Sequence, residues 1–318
     1  MNLRKNRIAI IDGVRTPMSK VGGSLKDIQA DDLGAIAVKE AMARSGVAPE
    51  DIDELILGNV AQPAHAANIA RVVGLKAGLP ISLPAFTVHR NCASGMEAIT
   101  SASSKILLGD ANIIVAGGTE SMSNIPLLFS RRMVSFFGQL ARARSVIDRV
   151  KVFSSFRLHF LKPVIGIVQG LTDPVSGLIM GLTAENLSRE FHIGREAQDA
   201  YALHSHQKAV AAQEMGIFAE EMVPVPLPPN LDRVLDVDEG PRAGQSLVAL
   251  AKLRPYFDRE NGTVTVGNAC PINDGAAAVI LMAESRAKEM GLKPLGFLSG
   301  YAYAGLEPER MGLGPIYA

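Results

Sequence analysis

The chain has 318 residues, of which 47% are hydrophobic, so it can bury roughly two domain cores, and a disordered or fibrous protein is excluded. It carries 32 Lys and Arg residues against 32 Asp and Glu residues, which excludes an overall charge that would attract nucleic acid. The first apolar run ends at Asp12, and the most apolar later stretch is broken by Asp173 and Pro174. We therefore expect no signal peptide and no membrane span, and with only two cysteines and no disulfide framework we expect a cytoplasmic protein.

Short apolar runs alternate with helical patterns over the first 120 residues, which is typical of an α/β layered fold. The predicted strands cover 7–11, 54–60, 85–90 and 112–118. The predicted helices cover 30–46, 68–79 and 92–109. The first helix has acidic residues in its first turn and ends at Gly46, as helix termini favour. The pattern therefore predicts the order βαβαβαβ.

From Asn124 onward the strand rhythm is lost, and helical segments replace it as far as about Lys252. The later predicted elements are helices over 183–191, 195–216 and 284–291, two β runs around a turn within 262–282, and a strand over 295–304. These boundaries divide the chain into 1–123, an inserted region 124–252, a return segment 253–292 and the start of a further domain at 293–318. We expect the first and third parts to form one α/β domain.

Residues 89–99 read HRNCASGMEAI, and Cys92 lies where a predicted strand ends and a helix begins. The unpaired backbone N–H groups and the positive dipole of a helix start would favour the reactive thiolate. The same pattern also fits a small buried cysteine at the start of a closely packed helix. From position alone, both interpretations remain open.

Five motifs in order resemble those of the thiolases, which cleave or form carbon–carbon bonds between acyl-CoA units. They are NCASGMEAI (91–99), GGTESMS (117–123), MGLTAENLS (180–188), LAKLRPYFD (250–258) and GTVTVGNACPINDGAAAVILM (262–282). The resemblance runs from about Ile8 to the last residues and is closest to the 3-ketoacyl-CoA thiolases of fatty-acid oxidation. It implies a layered α/β/α domain around a mixed five-stranded sheet, with an inserted, mostly helical, CoA-binding loop domain.

The resemblance also implies roles for single residues. Cys92 matches the cysteine that accepts the acyl group, and its backbone N–H forms part of an oxyanion hole in the family. The implied CoA-binding residues are Ile179, Met180, Arg242, Ala249, Cys270 and Ile272. Cys270 stands where many thiolases carry a serine, and a simple turn-forming role for it, like a solvated role for Arg242, stays open. CoA and acyl-CoA are expected as substrates, and no metal or cofactor motif is present.

Three thiolase motifs of the second half do not occur in the sequence: an Asn-Glu-Ala-Phe motif, a Gly-His-Pro motif and a second cysteine near a glycine-rich C-terminus. These motifs supply acid, base and oxyanion donors in the family. We therefore expect the C-terminal thiolase domain to be absent and the predicted strand over 295–304 to lie unpaired. The chain would then be a fragment or need a partner chain that brings the second half. The alternative is a non-catalytic CoA-binding or scaffolding protein.

Residues 130–162, the basic segment, carry eight Lys and Arg residues, one acid and five interleaved phenylalanines. This pattern suits an anionic membrane surface or a partner subunit of a fatty-acid oxidation complex, whereas a solvated basic face packed on its own core is the alternative. The resemblance further implies a homodimer or tetramer formed through the edge of the sheet, and we expect 112–118 to belong to that edge.

Overall fold

A computed structural model describes residues 7–318 and places one mixed sheet at the centre of the fold. Its strands are β1 (Ile8–Arg15), β2 (Ser19–Lys20), β3 (Glu54–Gly58), β4 (Ala85–Val88), β5 (Ile113–Ser121), β10 (Asn273–Ala283) and β11 (Gly296–Leu298). The order is β11-β1-β10-β5-β3-β4, with β2 paired to β10. Strand β3 runs parallel to β4 and β5, and the other pairs are antiparallel. The five predicted core strands are present, and the short strands β2 and β11 extend the sheet.

Helices cover both faces of this sheet. In chain order the helices are α1 (Ala30–Ser45), α2 (Ile69–Ala77), α3 (Ser94–Leu108), α4 (Arg131–Arg142), α5 (Val146–Ser154), α6 (Gly166–Gly170), α7 (Met180–Glu190), α8 (Arg195–Glu214), α9 (Leu247–Ala251), α10 (Glu284–Glu289) and α11 (Gly314–Tyr317). Along β3, Leu55 and Leu57 pack in the core that contains α1 and α2, whereas Ile56 packs on the opposite face with α3. This alternation follows from the two-residue period of a strand. The result is an α/β/α sandwich.

The region between β5 and β10 holds α4 to α9, joined by long irregular connections. It also contains two small antiparallel pairs, β6 (Leu127–Leu128) with β7 (Val164–Ile165) and β8 (Val225–Leu227) with β9 (Arg233–Leu235). Arg15 ties this region to the main sheet, because its guanidinium pairs with Asp238 at 2.8 Å and with Glu221 at 2.6 Å. None of the helices described between residues 7 and 318 has the length and apolar character needed to cross a bilayer.

Three expectations drawn from the sequence are wrong. Residues 262–272 form turns rather than a strand, because the carboxylate of Glu185 and the side chain of Asn268 bind their backbone N–H groups. The strand predicted over 295–304 is shorter and is paired, since β11 lies beside β1 with Leu298 opposite Ile8. Strand β5 is interior, between β10 and β3, so the free edge of the sheet on that side is β4.

Candidate active site

Cys92 lies on a tight turn between β4 and α3. Asn91 has a φ of 46°, a left-handed conformation that asparagine tolerates better than most residues. The Ser94 hydroxyl closes the turn, accepting from the Arg90 N–H at 2.8 Å and donating to the Asn91 carbonyl at 2.6 Å. The predicted helix therefore begins at Ser94, two residues later than expected, and Cys92 is an exposed free thiol that precedes it. The buried-cysteine interpretation does not fit this geometry.

The first turn of α3 presents backbone N–H groups near this thiol. The N–H groups of Ser94 and Glu97 are used within the turn, by the carbonyls of Asn91 and Ala93. Those of Gly95 and Met96 have no hydrogen-bond acceptor within residues 7–318. Free amide donors at a helix N-terminus stabilise negative charge, so this turn can stabilise an anion formed at or next to Cys92.

Arg90, the cation two residues before Cys92, is paired with a carboxylate of the same chain. Arg90 is hydrogen-bonded to the carboxylate of Glu97, and its guanidinium lies 3.9 Å from the centre of the Tyr303 ring. Burial by itself would raise the pKa of Glu97, but the hydrogen bonds from Arg90, Tyr303 and Ser101 outweigh it and lower that pKa. Arg90 is therefore a structural partner of Glu97 rather than a free cation for a substrate.

A polar and aromatic cavity of about 310 Å³ lies beside α3 and does not include Cys92. Its lining residues are Phe86, Glu97, Thr100, Ser101, Ser104, Lys105, Tyr301 and Tyr303. The chain after β11 forms one wall, because the Tyr303 hydroxyl contacts the Thr100 hydroxyl and the Tyr301 hydroxyl lies 3.1 Å from the Ser104 hydroxyl. Residues 301–303 therefore cover part of the outer face of α3.

The other predicted site residues lie on separate elements. Ile179 precedes α7 and Met180 is its first residue, and both are half-buried. Arg242 lies on the segment that leads into α9, and Ala249 lies on α9 itself. Both residues are exposed. Arg242 lies close enough to His206 that its charge, after burial, helps to lower the pKa of that imidazole.

Cys270 and Ile272 lie directly before β10. Cys270 is an exposed free thiol, and the carbonyl of Ile272 accepts from the Val21 N–H at 2.8 Å. The start of β10 lies opposite the end of β5. Cys270 and Ile272 therefore lie at the same end of the sheet as the Cys92 turn, where β3, β4 and β5 finish. Within residues 7–318, no hydrogen bond joins Cys92 to the six predicted CoA-binding residues, and none of the six lines the cavity beside α3.

Glu120 lies at the same end of the sheet, and the sequence interpretation missed it. Its carboxylate accepts from the N–H groups of Val60 at 2.8 Å and Ala61 at 3.1 Å, and from the Asn59 side chain at 3.0 Å. Burial raises the pKa of Glu120, although these donors and the nearby His89 favour its charged form. The signal was available, because Glu120 lies inside the GGTESMS motif at the end of a predicted strand.

Comparisons with known proteins agree with this architecture. A family model described as the thiolase N-terminal domain matches residues 8–285. The 3-ketoacyl-CoA thiolase of Yersinia enterocolitica is 40% identical over 98% of this chain and 71% of its own length. The acetyl-CoA acetyltransferase of Chromobacterium violaceum is 43% identical over 98% of this chain and 75% of its own length.

A solved structure agrees as well. Human mitochondrial 3-ketoacyl-CoA thiolase in complex with CoA superposes with a TM-score of 0.85 at 36% identity, over 98% of this chain and 74% of that one. The match therefore extends beyond the residues of the family model, to nearly the whole of this chain. The chain belongs to the thiolase family, a family of acyltransferases.

Proposed function

We propose that the chain forms an acyl-enzyme on Cys92 during thiolytic cleavage of 3-ketoacyl-CoA. The Cys92 thiolate attacks the C3 ketone carbon, and the resulting alkoxide collapses with cleavage of the C2–C3 bond. The acyl group stays on sulfur, and the acetyl-CoA enolate that leaves takes up a proton. The thiolate of a second CoA then attacks the thioester, releasing the shortened acyl-CoA and the Cys92 thiolate.

The position of Cys92 carries this proposal. The thiol is exposed on a turn held by Asn91 and Ser94, so a substrate carbonyl can reach it. The amides of Gly95 and Met96 face no acceptor within residues 7–318, and such donors stabilise the charge of a tetrahedral alkoxide. An exposed nucleophile beside free amide donors supports acyl transfer more than a purely structural cysteine.

The CoA-contacting residues remain part of the proposal. We assign the pantetheine arm to Ile179, Met180, Cys270 and Ile272, with Ala249 beside it, and the nucleotide phosphates to Arg242. Arg242 is exposed and makes no ion pair within residues 7–318, so its charge is available to a phosphate. The relative crystallised with CoA supports a CoA thioester as the ligand class.

We further propose that the acid and base groups come from outside residues 7–318, from another segment or a partner chain. Cys92 makes no hydrogen bond to a histidine or carboxylate in the described part of the chain. The Gly-His-Pro motif of the family is not found in the sequence. Acyl transfer to Cys92 would then be measurable without such a group, whereas repeated thiolytic turnover by this chain would be very slow.

The experiment is acyl trapping. The purified chain is incubated with acetyl-CoA and its intact mass is followed, with Cys92→Ala and Cys270→Ala as a matched pair of cysteine variants. We expect one acetyl group on the wild type and on Cys270→Ala, and none on Cys92→Ala. An adduct that persists in Cys92→Ala, or no adduct on the wild type, would contradict the acyl-enzyme. A chain that binds CoA without acylation would match the scaffolding alternative.

For the basic segment we propose an anionic membrane surface as the partner. Phe136 is 5% exposed and packs against Phe153 and Phe156, so α4 and α5 form a small aromatic core. Outside that core Val146 and Ile147 are 77% and 68% exposed, beside the cations of the same segment. Apolar side chains next to Lys and Arg suit the boundary between headgroups and acyl chains.

The cellular setting and assembly complete the proposal. Both cysteines are free thiols, which suits the reducing cytoplasm where a nucleophilic cysteine stays active. We propose a homodimer or tetramer that uses the free β4 edge, because an unpaired strand edge offers N–H and C=O groups to a second chain. A subunit of a fatty-acid oxidation complex is the other proposed partner.

A further inference from the structure

Glu120 joins the ends of two neighbouring strands, at the end of the sheet from which the Cys92 turn leaves. It is the penultimate residue of β5, and its carboxylate holds the chain that leaves β3 through the N–H groups of Val60 and Ala61. The third donor is the side-chain amide of Asn59, which lies 3.0 Å from the same carboxylate. A carboxylate is an acceptor-only group with about four lone-pair positions, so three N–H donors suit it well.

Asn59 extends this connection to the third strand. Its side chain is 2% exposed and also donates to the Thr119 carbonyl at 2.7 Å. Its main-chain N–H donates to the Val88 carbonyl at 3.3 Å, and Val88 is the last residue of β4. Glu120 and Asn59 therefore fix the ends of β3, β4 and β5 relative to one another.

The Cys92 turn starts from this fixed point. His89 follows Val88 directly, its Nδ1 accepts from the Asn91 N–H at 3.4 Å, and it lies close enough to Glu120 to favour the charged form of that carboxylate. Glu120 thus reaches the turn through the hydrogen bonds of Asn59, which connect its carboxylate to the last residue of β4. A displacement of about 1 Å at a reacting atom can cost orders of magnitude in rate.

We propose that Glu120 is a positioning residue for Cys92, holding the exit of β4 through the Asn59–Ala61 turn so that the thiol stays in register with the amides of α3. This inference rests on the proposed acyl-enzyme function and adds a residue that acts through others. Glu120 itself touches neither the substrate nor the sulfur in this assignment.

The pattern of bonds predicts a graded series of variants. In Glu120→Gln the remaining Oε1 keeps the acceptor for Ala61 and Asn59, while an NH₂ group faces the Val60 N–H. In Glu120→Ala all three donors lose their acceptor. The effect on Cys92 should therefore be intermediate for Gln and largest for Ala.

The test uses the full chain and compares its two free cysteines. Alkylation of Cys92 and Cys270 by iodoacetamide is followed by peptide mass spectrometry, with acetylation of Cys92 by acetyl-CoA measured in parallel. The matched control is Glu54→Gln, which removes a buried carboxylate paired with Lys105 at the opposite end of β3. Urea unfolding identifies any variant that does not fold.

We expect the Cys92-to-Cys270 rate ratio to fall about tenfold in Glu120→Ala and about threefold in Glu120→Gln, and to stay unchanged in Glu54→Gln. A ratio within about twofold of the wild type in folded Glu120→Gln overturns the positioning role, as does an equal fall for both cysteines. Absence of acetylation on the wild type would contradict the acyl-enzyme instead, because the alkylation ratio does not depend on it.

Discussion

Gly58 and Gly95 are in contact where β3 meets the first turn of α3. A methyl group at Gly58 would lie 2.6 Å from the Gly95 nitrogen and 2.5 Å from the Ser94 carbonyl oxygen, closer than real Cβ atoms approach backbone. The missing side chain at the end of β3 therefore lets the start of α3 lie directly on the strand. This contact sets the height of the Cys92 turn above the sheet.

Substitution of Gly58 by alanine should displace that turn. The methyl group meets the backbone of α3 and not the end of a flexible side chain, so α3 has to move away from the strand. We expect a loss of about 2 kcal/mol in the free energy of unfolding, as for overpacked cores, together with slower acetylation of Cys92. Urea unfolding and intact-mass kinetics measure the two effects.

Gly95→Ala is the control for this prediction. A methyl group added at Gly95 would meet no heavy atom within 4 Å apart from its chain neighbours and the backbone of its own helix, and alanine is the better helix former. We expect stability equal to or above that of the wild type. If Gly95→Ala lost as much stability as Gly58→Ala, the first turn would be intolerant of any side chain and the close approach at Gly58 would not be the cause.

Glu185 should be among the most costly side chains to remove on α7. It is 1% exposed, and its carboxylate accepts from the N–H groups of Thr263 at 2.9 Å and Val264 at 2.8 Å. Glu185→Ala leaves two amide donors of the 262–272 turns without an acceptor. We expect a loss of about 3 kcal/mol, measured by urea unfolding.

Glu190→Ala on the same helix provides the comparison. Its carboxylate pairs with Arg310, but both side chains are more than a third exposed, so the pair should contribute less than about 1 kcal/mol. Equal losses for the two variants would mean that helix α7 is sensitive as a whole, and that the buried acceptor at Glu185 is not special.

The membrane proposal predicts a charge-dependent loss of binding. Ile147 is 68% exposed on α5, and Ile147→Glu replaces an insertable side chain by an anion. We expect about tenfold weaker co-sedimentation with vesicles that contain phosphatidylserine, and little binding of either protein to pure phosphatidylcholine. Ile81→Glu, at an 82% exposed position outside the basic segment, should bind like the wild type. Unchanged binding after deletion of 130–162 would reject this surface.

Periodicity predicted the α/β layers well because each element carries its own signal. The helix predicted over 30–46 is α1 in the structure, and Gly46 caps its end with a φ of 68° and an N–H bound to the Met42 carbonyl. The alternation of Leu55, Ile56 and Leu57 marks a strand covered on both faces. Such local information survives folding because the tertiary contacts reinforce it.

Long-range partners explain what the sequence could not predict. The run over 262–272 alternates like a strand, but Glu185 binds its amides from 78 positions away in the chain. Glu120 lies within a motif that marks the family, yet its role depends on Asn59, 61 positions earlier. Cys92 was identifiable from its motif, whereas the turn that exposes it depends on Asn91 and Gly58 together.

Asp31 should make the stability of the fold depend on acid pH. Its side chain is 1% exposed and lies 2.6 Å from the Lys76 ammonium and 3.1 Å from the His65 imidazole. Burial alone would raise the pKa of Asp31, but the hydrogen bonds from Lys76 and His65 outweigh it, so that pKa is lowered. The unfolded chain, with an aspartate pKa of about 3.9, then binds the proton more readily than the folded chain.

The contribution of Asp31 is therefore fully present above about pH 4 and is lost as the pH falls below that value. Asp31→Asn should cost about 1 to 2 kcal/mol at pH 7, because Lys76 is partly exposed, and should flatten the fall in stability below pH 4. Asp32→Asn is the matched control, since Asp32 binds the same ammonium from a 48% exposed position. The measurement is the midpoint of urea unfolding between about pH 3 and 7. An equal fall of this midpoint with pH in the wild type and in Asp31→Asn would contradict the role of Asp31 in acid sensitivity.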